Sequence, residues 1–140
     1  ISLPEPFHLS GPYSINNFII FIVALVLGLF LVTALNLFMH ILTMFTLDEK
    51  GSMTTYSVIA DIFMGGTVPI PFFPTWLKHI AEFLPFRFIG DFPFRIYSNS
   101  IPLEEGYILI IGSIICIIIT ISLGYLISRV SLRKAVIQGG

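Results

Sequence analysis

Charge is what this sequence most lacks. Only 11% of the residues are Asp, Glu, Lys or Arg, against 56% hydrophobic, and the mean hydropathy is +0.96. A soluble domain carries roughly 25% charged residues. Less than half of that coat is present, so much of the outer surface faces something other than water, and lipid is the candidate. The net charge of -1 supplies no basic field for a polyanion, so no nucleic-acid partner is expected. Cysteine is nearly absent too. Cys116 stands alone in an isoleucine run, so an intramolecular disulfide and a cysteine-based metal cluster are both excluded, and small apolar packing is its simplest role. No cleavable leader is evident, because the first apolar run has no basic flank and is too long for a signal core. A chain opening at Ile1 in this way is expected to be a segment of something longer.

What is present is long uncharged stretches. Residues 1–15 hold three prolines and little periodicity, which predicts an extended linker, with Asn16-Asn17 placed to cap the first helix. Residues 16–46 contain no charged side chain and exceed the ~20 needed to cross hydrocarbon, so they form a first span. Asp48-Glu49-Lys50-Gly51 makes a polar turn. Residues 106–130 are isoleucine-rich, which in water suggests a buried strand, but at this length in lipid the backbone demands a helix. Arg129, Arg133 and Lys134 close this span, and residues 131–140 form a cytoplasmic tail.

Residues 53–68 are apolar but short, and contain Asp61. Their crossing is argued by parity. The linker has no Lys or Arg, whereas three basic residues flank the last span, so the C-terminus is expected inside and the N-terminal end outside. Opposite sides need an odd number of crossings, hence three. Residues 69–102 are broken by prolines yet rich in aromatics, which predicts short helices dipping into the outer leaflet. Over Thr75–Leu84 the pattern is amphipathic, with Trp76, Leu77, Ile80 and Phe83 on one side and Lys78 and Glu82 elsewhere. The fold class expected is all-α integral membrane, with three transmembrane helices plus a re-entrant or interfacial pair on the outer face.

Three groups of residues are candidates for function. Asn36 and His40 share a helix face, and Asp61 is an intramembrane carboxylate that should face protein or a wet cavity. Either they line a translocation path or they make interhelical polar contacts; the structural role is the simpler. A proton relay between His40 and Asp61 has nothing to place the two within reach. Gly112, Cys116, Thr120, Gly124 and Ser128 recur at every fourth position, and small residues so spaced allow close helix packing, within the subunit or between subunits. Lys78, Arg87 and Arg95 could meet anionic headgroups or substrate, but a snorkelling rim needs no partner. No catalytic set is found. His8, His40 and His79 are scattered, and no HExxH, nucleophile elbow or paired-carboxylate spacing occurs.

The ordered series Gly65-Gly66, Pro69, Pro71, Phe73-Pro74, Trp76, then Pro85-Phe86, Pro93 and Tyr97, ending in Gln138-Gly139-Gly140, resembles the C-terminal half of an ABC type-2 exporter permease subunit. The resemblance covers essentially the whole chain. It implies that the three crossings are the last three of six. Gly65 and Gly66 would break the fifth, and a re-entrant gate motif would be seated by Phe72, Phe73, Trp76 and Phe86. It further implies a bacterial cell membrane, pairing with a second permease subunit in a homo- or heterodimer, and an ATP-binding subunit that carries ATP and magnesium. The chain itself has no nucleotide cradle, since Gly65-Gly66 is not followed by Gly-Lys-Ser/Thr. The family's entry helix and coupling loop are also missing. The expected function is part of the translocation path and external gate of an ATP-driven exporter. An ion-coupled transporter or channel using Asp61, or a membrane enzyme or assembly factor using His40 and Asp61, are the alternatives.

Overall fold

An uninterrupted apolar run has one way to satisfy its backbone without water, and residues Ile15–Thr43 take it as helix α1. The computed structural model describes residues 14–139; the expected linker lies mostly outside them. The N-cap is Ser14, not the asparagine pair: its hydroxyl accepts from the Asn16 amide at 3.3 Å. The expected polar turn is instead a helix start, with Asp48 accepting from the Gly51 amide at 2.9 Å to cap α2, Glu49–Phe63. Two 3-10 turns, Ile70–Phe72 and Pro85–Phe88, and two short helices, α3 (Thr75–Phe83) and α4 (Asp91–Tyr97), come next. Helix α5, Leu103–Gly139, ends the described chain. Every element among the described residues is helical.

Two helices, α1 and α5, are long and apolar enough to cross a membrane. At about 1.5 Å per residue, α2 spans only about 22 Å. The segment of residues 131–139, expected as a tail, continues α5, which at about 55 Å is far longer than the ~30 Å hydrocarbon layer.

Helices α1 and α5 run parallel. Ile20 lies against Gly106 near one end of the pair, while Phe38 and Ile41 lie against Gly124 toward the other. The inward face of α1 is written in spacings of three and four: Asn17, Ile20, Ala24, Gly28, Leu31 and Leu35 are buried, Gly28 beneath the backbone of Phe88 and Ile89. On α5 the buried positions are Gly106, Ser113, Thr120, Gly124 and Ser131, with Cys116 and Ile117 half-buried between. Alternating three- and four-residue steps keep a straight seam along both helices. The polar members cost little there, because Ser113 and Thr120 donate to the carbonyls of Leu109 and Cys116, each at 2.8 Å.

The four-residue stripe read from the sequence therefore splits. Each step of four over-rotates a helix by about 40°, so Thr120 and Gly124 reach the seam while Ser128 sits at its edge. Gly112 faces the Pro85–Phe88 turn and not α1: a Cβ there would lie 3.1 Å from the ring of Phe88.

The other faces of α1 and α5 are bare. Phe18, Ile22, Val26, Leu29 and Phe30 on α1, and Ile108, Ile111, Ile115, Ile118 and Leu126 on α5, are all exposed. Only 28% and 22% of the most apolar windows of the two helices are buried, which is unlike the core helix of a soluble protein. Such a surface requires an apolar surround.

Candidate functional site: a turn wedged between two helices

The end of α2 sets up the site. Met64 is the C-cap and Gly65 follows at φ +82°, a conformation that L side chains rarely adopt. The Gly66 amide reaches back to the Asp61 carbonyl at 3.0 Å and the Gly65 amide to that of Ile62 at 3.2 Å. This paired arrangement stops the helix and turns the chain. The Asp61 carboxylate accepts from the Thr67 hydroxyl, and a Cβ on Gly66 would run into it. Asp61 is exposed and its carboxylate is engaged at the helix terminus.

The chain then re-enters the helical body at residues 85–90. Pro85 opens the 3-10 turn, and Phe86 and Phe88 are buried within it. The backbone of Phe88 and Ile89 packs on α1 at Gly28, where a Cβ would be in ordinary contact at 3.4 Å, while the Phe88 ring abuts Gly112 on α5. Gly90 lets the same turn touch α2, since a Cβ there would collide with the Met64 carbonyl oxygen. Gly28 lies about 20 Å along α1 from Ile15, and Gly112 about 14 Å along α5 from Leu103. The turn is thus lodged well below the ends of both long helices. Behind it Phe92, Pro93 and Ile96 of α4 are fully enclosed, and Ile96 packs on Gly106.

Helix α3 is turned the opposite way from a helix on a soluble core. Trp76, Ile80 and Phe83 are exposed, whereas Ala81 is buried and Lys78 is half-buried. The seats of the region are Phe86, Phe88 and Phe92; of the aromatics expected for that role Phe86 serves, Phe73 packs edge-on against Phe63, and Phe72 and Trp76 face outward. Sequence reading missed Phe88, Phe92, Gly28 and Gly90. Gly28, a glycine within an unbroken apolar helix, was the available signal.

Nor do Lys78, Arg87 and Arg95 form a dispersed rim. They line one cavity of about 210 Å³ together with Glu82 and Asp91. Arg95 Nη1 donates to Asp91 Oδ2 at 3.5 Å. Burial pushes the Asp91 carboxyl up, and Arg95, then Arg87 and Lys78, pull it back down. A second, more open cavity, lined in part by Asp61, Gly65, Gly90 and Tyr97, shares Asp91 and Arg95 with the first.

Asn36 and His40 are exposed, and neither meets Asp61. His40 Nδ1 lies 3.6 Å from Glu49 Oε1 at the start of α2. Asp61 stands about 18 Å further along that helix. The structure thus separates the two residues that a proton relay needs.

A family model described as an ABC-2 family transporter protein matches residues 12–139. No curated protein and no solved structure matches the chain.

Proposed function

The chain belongs to the ABC-2 transporter family, and from that premise we propose that it is the gate-bearing part of the permease subunit of an ATP-driven exporter. The observation that carries the reading is the turn of residues 85–90, wedged between Gly28 and Gly112. A segment held between two apolar helices by bare glycine contacts closes the space between them, and small shifts of either helix would release it. In this reading the turn with α3 and α4 is the external gate, and residues 12–139 form the last crossings of a larger permease domain.

Three crossings are supported by the parallel course of α1 and α5. Two neighbouring helices that run the same way need the chain between them to return across the layer. Helix α2 with residues 64–74 makes that return. Arg129, Arg133 and Lys134 at the far end of α5 support a cytoplasmic place for that end. The outward-facing Trp76, Ile80 and Phe83 support an interfacial place for α3, which in this reading is the outer leaflet of a bacterial cell membrane.

The energy comes from elsewhere. An ATP-binding subunit, holding ATP and magnesium, docks on the cytoplasmic side and biases the permease pair between two arrangements. The test is to purify the full-length subunit from its native membrane. A tightly bound ATP-hydrolysing partner, and transport in liposomes that stops without ATP, are expected. Transport by the subunit alone without nucleotide would overturn the reading.

A further inference from the structure

An arginine on a turn lodged between two apolar helices is costly unless its charge is met. Arg87 occupies that place, and it is not met by a carboxylate within ion-pair distance among the described residues. Its Nε is buried without a hydrogen-bond partner there, and its guanidinium lies over the Phe88 ring, 4.9 Å from the centroid. The rest of the group faces the cavity it shares with Lys78, Arg95, Glu82 and Asp91.

The charges in that cavity do not balance. Three cations face two carboxylates. Asp91 is committed to Arg95, and Glu82 leans toward His79, with Oε2 at 3.8 Å from Nδ1. Lys78 and Arg87 are left over, on two different elements, α3 and the 3-10 turn, that converge on one space. At about 210 Å³ the space equals roughly seven water volumes, enough for a tetrahedral oxyanion with part of its hydration. Beside it, Phe72, next to Pro71 of its lining, and Phe94, which lines the adjoining cavity, present apolar surface outward.

We propose that Lys78, Arg87 and Arg95 form an anion site for a phosphate ester, with Asp91 holding Arg95 in position. Arg87 offers its fork, Lys78 a point charge, and the exposed rings of Phe72 and Phe94 accommodate acyl chains, so the ester is the headgroup phosphate of an outer-leaflet lipid. The site deepens the gate reading and rests on it for its outer-leaflet placement, because the cations are carried by the two sides of the re-entrant pair. A bound headgroup would tie α3 to the 85–90 turn.

The test uses the full-length subunit in detergent, without nucleotide or ATPase, so a failed exporter reading leaves it intact. Thermal unfolding is followed while titrating inorganic phosphate, a short-chain phosphatidylglycerol, and a diacylglycerol with the same chains but no phosphate. Saturable stabilisation by phosphatidylglycerol is expected. Lys78→Gln and Arg87→Gln should each weaken it roughly tenfold or more, and Glu82→Gln should strengthen it, a change that structural damage does not mimic. Saturation by inorganic phosphate alone, with the same dependence on the variants, keeps the site and assigns it to a free anion. Equal stabilisation by the phosphate-free diacylglycerol, or a response indifferent to all three substitutions, overturns the proposal. If Arg87→Gln fails to fold, the opposite signs at Lys78 and Glu82 still decide.

Discussion

Asn17 Nδ2 donates to Asn99 Oδ1 at 3.0 Å, joining the first turn of α1 to the turn before α5. Asn17 is buried and Asn99 holds a left-handed backbone at φ 54°. Asparagine tolerates that region better than most residues. This one bond ties together the beginnings of the two parallel helices. Asn17→Leu leaves the Asn99 carbonyl without its donor and should cost about 1–2 kcal/mol. Thermal unfolding of the detergent-solubilised subunit checks it, and an unchanged midpoint would show that the bond contributes nothing.

The wedge makes a paired prediction from two glycines. Gly90→Ala forces a Cβ into the Met64 carbonyl oxygen, so a loss of about 1–3 kcal/mol is expected as the turn lifts from α2. Gly28→Ala meets the Ile89 backbone only at ordinary contact, 3.4 Å. Alanine is also about 1 kcal/mol better than glycine inside a helix, so that variant should be neutral or slightly stabilised. The order of the two unfolding midpoints is the readout, and a reversal refutes the wedge.

Asp61→Asn separates ion coupling from a structural carboxylate. Asparagine can still accept from the Thr67 hydroxyl through its carbonyl oxygen, so the change should cost under about 1 kcal/mol. Nucleotide-dependent transport should be largely retained. Transport lost with ATPase activity intact would instead assign Asp61 to a coupling ion.

Topology can be read by labelling. In a Cys116→Ser background, Ser100→Cys should react with an impermeant maleimide on intact cells. Lys50→Cys and Arg133→Cys should react only after the membrane is opened. All three positions are exposed in the structure. If Lys50→Cys labels from the same side as Ser100→Cys, α2 does not cross.

Much of this fold is legible in the residues alone. The runs around α1 and α5 announce themselves because hydrocarbon leaves a backbone no other solution. The break at Gly65-Gly66 is legible too, since only glycine takes the positive φ at low cost. The seam between the long helices is not. A four-residue repeat of small residues looks like an interface on paper, but Gly112 serves the Phe88 ring and Ser128 drifts to the edge. The amphipathic pattern of α3 is plain as a pattern, yet which side faces protein is undetermined by periodicity alone. In lipid the apolar side turns outward.

What the sequence determined by itself is the membrane setting, the two long helices and the proline-aromatic interruption, because each arises from local chemistry repeated over many residues. What only the tertiary structure decided is which distant residues meet. Asn17 pairs with Asn99, Gly28 and Gly112 admit the turn at Phe88, and Lys78, Arg87 and Arg95 share one cavity. Those contacts depend on helix rotation and depth, and a rotation of a few tens of degrees sends the same side chain to lipid or to protein. No local pattern carries that information.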